Sequence, residues 1–443
     1  MISRSRLKPL FGPRRLGAAA LLLAPAIASA NMGNIATSYG VLPSDVATVQ
    51  ALSMFNTQVS TTYYNPAFLA RDTRGEMTAG LMHADPNLKA DSQNHGKYKV
   101  QDDPAQQILL GLRTDLSGIA ELGQPLVLGL LLGSEKYSQE LMAFTSQTAP
   151  YGQYFNQGRE PLFLSLGIGT NIWRGLAIGF ATRVTLQSDA KLVANTDLSG
   201  NTQYETLDVT AKPVLRPILS MSLDWKETFC PDADCWYNGV ETAFAFRGYS
   251  YARVSVDANT IIPGTIPEPG LFINLSTIDS YQPNTYVFGT QVKKGKWRTG
   301  VALEFQEWSK LEDKLTAGHD DIKDVGDLQF RDTFIPRIGV EYEFEPGIGF
   351  SGGIAYQESP LETGVNKEIN YLDARRTIFG LGFHATAQRV YGFAHPVRFD
   401  LAYQYHAIGE RDFRLISDQT GNNDRVKTDG DVNVFAASIS MQF

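Results

Sequence analysis

Val432-Asn433-Val434-Phe435-Ala436-Ala437-Ser438-Ile439-Ser440-Met441-Gln442-Phe443 closes the chain. Phe435, Ala437, Ile439, Met441 and Phe443 share one face of an extended strand, and Ser438, Ser440 and Gln442 share the other. Side chains alternate sides along a strand, so one face suits lipid and the other a wetter interior. A strand that runs to the terminus on an aromatic residue fits the closing strand of an outer-membrane β-barrel. A soluble sandwich strand shows the same alternation, so the choice rests on the rest of the chain.

The opposite end reads as an export signal. Arg4, Arg6, Lys8, Arg14 and Arg15 form a basic region, Leu16 to Ile27 an apolar one, and Ala28-Ser29-Ala30 a cleavage site. The apolar run is interrupted by Pro25 and is shorter than the roughly 20 residues that a membrane helix needs. The expected mature chain begins at Asn31. No later segment has the length or purity of a membrane helix, so membrane insertion requires a closed barrel, in which every backbone group is paired.

Composition agrees with this. Only 43% of the 443 residues are hydrophobic, which suits a barrel, where alternate residues face lipid. Net charge is −8, and −13 once the five basic residues of the signal are removed. An acidic chain without a long basic cluster argues against nucleic acid as a partner. Cys230 and Cys235 stand in Cys-Pro-Asp-Ala-Asp-Cys. An exported protein meets an oxidising periplasm, so a disulfide is expected, while a metal site would need further ligands that are not nearby. No metal or other cofactor is called for.

Alternation recurs along the chain. Leu176, Ile178, Phe180 and Val184 oppose Ala177, Gly179, Ala181 and Arg183; Phe334, Ile338 and Val340 oppose Ile335, Arg337 and Gly339; Phe399, Leu401 and Tyr403 oppose Arg398, Asp400 and Gln404. Charge beside Gly and Ala on one face suggests a lined interior. Fourteen such segments are expected: 75–84, 105–114, 125–135, 160–171, 175–190, 204–225, 239–257, 283–294, 296–309, 330–344, 347–358, 375–387, 396–413 and 430–443. The number is even, and long connections alternate with shorter ones, as in outer-membrane barrels. The expectation is an all-β transmembrane antiparallel barrel of about 14 strands spanning 75–443, preceded by a signal peptide at 1–30 and a separate segment at 31–74. Ser44 suits an N-cap for a short helix in that segment. It is either a flexible tail or a hatch that plugs the lumen.

Several stretches resemble a known family. Met54–Ala70 contains Asn65-Pro66-Ala67, similar to the asparagine-proline-alanine signature of the FadL/TodX outer-membrane transporters of long-chain fatty acids and aromatic hydrocarbons. Ile262-Pro263-Gly264 followed by Phe272-Ile273-Asn274-Leu275 resembles the family's apolar loop, with Ser276 where a proline is usual. Glu307-Trp308-Ser309, Pro336–Pro360 and Leu372-Asp373-Ala374-Arg375 resemble later family motifs in the same order. The resemblance runs from about Met54 to the terminus. It implies a fourteen-stranded barrel in the outer membrane, a hatch in its lumen, and passive transport: capture at apolar outer loops, a lumen site, then sideways exit through the wall.

Ile261, Ile262, Leu271, Phe272, Ile273 and Leu275 make an unusually apolar loop that either captures ligand or packs on another loop. Leu141, Met142 and Phe144 are a candidate opposing wall. Met54, Phe55 and Phe68 either touch ligand or pack the hatch. Asn65, Pro66 and Ala67 either gate the lumen or set the turn into the barrel, since Pro66 fixes its own φ and restricts Asn65. Arg183, Arg216, Arg247, Arg337 and Arg398 either pair with a substrate carboxylate or with Asp224, Glu241, Glu304, Glu341 and Asp400. Expected partners are a hydrophobic small molecule, outer-membrane lipid, lipopolysaccharide and the barrel-assembly machinery, with a monomeric barrel. An enzyme would need a nucleophile and base; the six histidines show no motif spacing and there is no G-x-S-x-G. A polar-solute porin and an exporter of lipid remain as rival transport readings.

Overall fold

The computed structural model describes residues 38–443 apart from 95, 99–103, 121–122, 137–161, 197–201, 263–264, 312–328, 363–365, 368–372, 389, 391–393 and 417–422. The expected signal peptide and Leu141, Met142 and Phe144 lie outside the described residues. The chain divides into two compact units. The larger holds residues 27–188, 211–254 and 277–443; the described part of the smaller lies in 189–210 and 255–276.

The strands are β1 Glu76–Ser92, β2 Gly96–Tyr98, β3 Ala105–Asp115, β4 Leu126–Lys136, β5 Leu162–Trp173, β6 Leu176–Thr196, β7 Thr202–Asp224, β8 Val240–Arg247, β9 Ser250–Ile262, β10 Ile266–Gln282, β11 Thr285–Lys294, β12 Trp297–Gln306, β13 Thr333–Glu345, β14 Ile348–Gln357, β15 Asn366–Lys367, β16 Arg376–Ala387, β17 Val397–Ile416 and β18 Asn423–Gln442. Fourteen of them make the wall. β2 and β15 are short appendages, and β9 and β10 form a hairpin inserted between β8 and β11, which themselves pair from Thr285↔Arg247 to Val292↔Val240. The wall closes where β18 returns antiparallel to β1, from Glu76↔Gln442 to Ser92↔Val426. Gly75 and Phe443 complete that closure by exchanging backbone hydrogen bonds.

Alternation sets the two faces as the sequence suggests. Phe180, Phe334, Ile338, Leu401, Phe435 and Ile439 are exposed outward, while Ala181, Arg183, Ile335, Arg337, Asp400 and Ser440 are buried inward. A soluble sandwich would show the inverse, with charge outside. Tight turns at Arg174-Gly175, Gly295-Lys296 and Pro346-Gly347 share one edge of the barrel with the Gly75–Phe443 closure.

The expected loops are shorter than anticipated, because strands continue into them. β1 runs on to Ser92, and the apolar stretch expected as a loop over 261–278 is strand hairpin β9–β10. Only about 9–11 residues are needed to cross lipid. Beyond that zone the outward side chains of β1 become Asp85, Asn87, Lys89 and Asp91, all exposed or half-exposed, so the apolar alternation that marks a strand is lost while backbone pairing continues. In the hairpin, Pro263, Pro267 and Pro269 suggest a loop, yet proline is tolerated at strand ends and edges. In the smaller unit β9 pairs with β10 and also with β6.

Residues 38–74 fill the lumen of the larger unit, so the hatch reading holds and the tail reading does not. Helices α1 Pro43–Ala47 and α2 Thr61–Tyr64 and 3₁₀ turns Ser53–Phe55 and Pro66–Arg71 form its frame. Ser44 is not the N-cap of α1: Leu42 holds that position, Pro43 starts the helix, and the Leu42 N–H donates to Asp45 Oδ2 at 3.0 Å. Ser44 instead lies one residue inside and donates from Oγ to Gln58 Oε1.

Candidate functional site

Small inward residues let the hatch backbone lie directly against the wall. A Cβ on Gly169 would collide with the Pro66 carbonyl, on Gly179 with Ala67 N, on Gly353 with Thr48 O and on Gly380 with Ala47 O; on Gly111, Gly129 and Gly300 it would meet Val59, Thr62 and Leu52. One glycine per strand around much of the ring thus makes a seat for the plug. These positions alternate with lipid-facing residues, and that inward placement was the available sequence signal.

Asn65-Pro66-Ala67 sits at the tightest part of this seat. Asn65 Nδ2 donates to Met54 O at 2.6 Å, the Phe68 N–H to Asn65 O at 2.9 Å, and the Ala67 N–H to Ser220 Oγ on β7 at 2.8 Å. The motif therefore joins two hatch turns to each other and to the wall. Met54, Phe55 and Phe68 form a buried cluster with Ala243, Ala245, Val287 and Ala302 of β8, β11 and β12. Their packing side is the wall.

Polar ties hold the middle and the C-terminal end of the hatch. Gln58 Nε2 donates to Asp400 Oδ2 at 3.2 Å and the Val59 N–H to Glu76 Oε1 at 3.2 Å. Arg113 on β3 meets Asp72 at 3.2 Å and Glu76 at 3.5 Å. Arg71, beside Asp72, meets Glu227 at 3.0 Å. Asp45 lies wholly within the plug; burial raises its carboxyl above the ordinary range, against hydrogen bonds from Ser53, the Leu42 N–H, Ser60 and Asn56. For Asp72, burial opposes ionisation, but its bonds to Arg74 and the Arg113 charge hold its carboxyl below that range.

The lumen has two unlike sides. On β6, β7, β8, β12 and β13 it is charged. Arg247 and Arg337 approach the same Glu304 carboxylate at 3.2 and 3.6 Å, and Arg183 lies 4.5 Å from the Phe163 ring centre. Arg398 pairs with Asp400 at 2.7 Å on β17. Arg216 instead donates to the carbonyls of Gly248 and Pro283 and to Gln282 and Thr285. It thereby fixes the points where β8 and β11 give way to the β9–β10 hairpin. Of the expected acidic partners, Glu304 and Asp400 serve these arginines. Glu341 pairs with Arg298, Glu241 with Gln291, and Asp224 caps helix α3 Trp225–Phe229.

The closing seam of β17, β18 and β1 carries an apolar cluster inside, flanked by buried Glu76, Asp400, Gln404, His406 and Ser438. Met82, Ala84 and Leu88 on β1, Val426, Val432 and Val434 on β18, and Ile408 and Phe413 on β17 are buried in one cluster with Tyr39 and Val46 of the hatch. Trp308, Leu311, Phe330 and Leu361 join the same cluster. The sequence pointed to a further apolar stretch, the expected capture loop. Of its six residues in the 261–275 stretch, Ile261 is half-buried and Leu271 exposed; the side chains of Ile262, Phe272, Ile273 and Leu275 lie outside the described residues. The seam was legible as inward Val and Ala opposite Phe435 and Ile439, but the terminal strand drew notice for its outer face.

Comparison with known proteins decides the family. The chain is 46% identical over 446 residues to alkane uptake protein A of Marinobacter nauticus, covering 99% of this chain and 98% of that one. A family profile described as outer membrane protein transport protein (OMPP1/FadL/TodX) matches residues 282–443. The chain belongs to the OMPP1/FadL/TodX family. Solved structures carry the same fold at low identity: a Pseudomonas aeruginosa FadL homologue (TM-score 0.57, 13% identity, 90% of this chain and 98% of that chain) and the P. putida toluene transporter TodX (TM-score 0.55, 12% identity, 91% and 99%). Like other FadL/TodX proteins, this is an outer-membrane transport barrel for hydrophobic compounds. The edge with short turns and both wall ends is the periplasmic one. Cys230 and Cys235 form a disulfide in the turn between β7 and β8 on that edge.

Proposed function

We propose that this protein carries out passive uptake of hydrophobic compounds, with unbranched hydrocarbon chains as the first candidate and long-chain fatty acids and monoaromatics as the wider class. The observation that supports it is the apolar seam ending on Tyr39 and Val46 of the plug. A chain gains about 0.8 kcal/mol per methylene on leaving water, so ten methylenes gain about 8 kcal/mol. An apolar track through the polar lipopolysaccharide layer exploits that gain, whereas a plugged lumen serves a polar solute poorly. The 46% identity to a protein named for alkane uptake points the same way.

In this reading ligand is first captured by apolar residues of the Ile261–Leu275 stretch, and Leu141, Met142 and Phe144 are further candidates for capture. It moves along Val426, Val432 and Val434 and displaces part of the hatch near Asn65-Pro66-Ala67. Exit is sideways. The strand register is unbroken from β18 through β1, β3 and β4, so exit requires a strand pair to loosen. Gly111 is the favoured place. Val59 of the hatch fills the space where its Cβ would be, and on its outer side Met77, Leu110, Leu112, Leu130 and Ile439 line an apolar groove of about 440 Å³. Only one strand's thickness separates plug from lipid there. The barrel acts as a monomer among lipopolysaccharide, and Phe443 is the residue that the assembly machinery reads.

A deletion strain supplied with an n-alkane, a long-chain fatty acid or toluene as carbon source tests the substrate class. Loss of alkane uptake, restored by the intact gene, is expected. Unchanged uptake of all three together with lost uptake of a sugar would replace this reading by that of a porin.

A further inference from the structure

The disulfide-closed turn between β7 and β8 carries an aromatic cluster that transport does not use. Trp236 is 90% exposed, the highest value for any large apolar side chain among the described residues, and Phe229 is 59% exposed. Trp225 lies 5.7 Å from Phe229 and 6.2 Å from Tyr237, ring centre to ring centre, and Trp236 lies 5.3 Å from Tyr237. Four aromatic rings within fifteen residues would be an aggregation hazard if they faced water.

The turn has a defined inner and outer side. Glu227, itself exposed, marks the hatch side of the turn by pairing with Arg71 at 3.0 Å. Trp225 Nε1 donates to Thr242 Oγ1 at 3.2 Å. Thr242 belongs to the outward set of β8, two residues from exposed Phe244, while Ala243 and Ala245 face the lumen. The aromatic cluster therefore leaves the barrel on the lipid side. It continues a ring of outward aromatics on the same periplasmic edge: Trp173, Trp297, Phe344 and Phe443, each about half exposed. Tryptophan and tyrosine favour the bilayer interface, where an apolar ring meets polar headgroups. Lys226, Asp232 and Asp234 supply polar groups around the rings, as an interfacial site requires.

We propose that this turn is a membrane-surface anchor, with Trp236 and Phe229 seated in the headgroup layer of the periplasmic phospholipid leaflet. Helix α3 and the Cys230–Cys235 bridge hold Trp236 beyond the strand ends, where the wall itself cannot reach. The partner is the lipid leaflet and not a periplasmic protein, because the cluster continues the lipid-facing band.

The test uses the full-length protein in phospholipid nanodiscs with all five tryptophans fluorinated, read by fluorine NMR. Trp236→Phe and Trp297→Phe assign two resonances. Lipids carrying a nitroxide at the headgroup, and separately a soluble gadolinium chelate, then broaden exposed positions. The expected result is that headgroup nitroxide broadens Trp236 at least as strongly as Trp297. Broadening of Trp236 by the soluble chelate alone would overturn the proposal and place the ring in the periplasm. Protection of Trp236 from both agents would also overturn it, by showing that protein covers the ring.

Discussion

Val434 is fully buried on the inner face of β18, midway along the apolar seam. Its cross-strand neighbour Gln404 already commits its amide to Tyr39 O and Val46 O, so a carboxylate at 434 would be a buried charge across the suggested path, and Val434→Asp should lower alkane uptake about tenfold or more. Val434→Leu should retain uptake, and heat-modifiable migration on gels checks that both barrels fold. Equal uptake by the two variants would remove the seam from the route. Gly179 tests the seat of the plug. A side chain here meets the Pro66–Ala67 backbone, which has no rotamer to yield. Gly179→Val should weaken the hatch by about 1–3 kcal/mol, as overpacking does, and raise ion conductance in planar bilayers. Unchanged conductance would mean that the hatch tolerates being lifted from the wall. The inward glycines and Arg183 and Arg337 were readable from alternation alone. The glycine contacts were not, because the segment they touch lies as many as 334 positions away, as for Val46 and Gly380.

Among the elements, the hatch carries its own pH response. Burial raises the Asp45 carboxyl, so the folded hatch holds this proton more tightly than the unfolded chain does. The stability contributed is fully present below the ordinary carboxyl pKa of about 4 and is lost as pH rises through the raised value. Hydrogen exchange of hatch amides 42–60, corrected for intrinsic rates, should therefore slow as pH is lowered from neutrality towards that range. Asp45→Asn should remove most of this dependence; an identical profile in both proteins would place the effect elsewhere. The strands show what alternation can and cannot reveal. β5, β12, β13 and β16 were readable almost to their ends, since lipid faces them along their length. β1, β6 and β18 outrun the apolar band, and β9–β10 hides behind three prolines, so their outer parts read as loops. The hatch had no periodicity to read, and its helices of five and four residues depend on the wall for partners.

For the molecule as a whole, closure depends on the last residue. Gly75 and Phe443 exchange two backbone hydrogen bonds, and the Phe443 ring occupies the space that a Gly75 side chain would need. Deleting Phe443 should reduce assembled outer-membrane barrel severalfold, measured as the heat-modifiable fraction; full assembly without it would mean that the seam closes by β1–β18 register alone. Hydrophobic ligand is expected to pass only when the hatch yields, since a ligand shifts the hatch only by binding its open arrangement more tightly. Val59→Cys with Gly111→Cys tests this directly. Val59 already fills the position of the missing Gly111 Cβ, so the double exchange places two thiols where the side chain and the void now meet. With the crosslink verified by mass spectrometry, labelled alkane uptake should fall to the level of the deletion strain and recover on reduction, while the wild type under the same reductant is unaffected. Normal uptake through a fully crosslinked hatch would show that ligand passes without hatch movement.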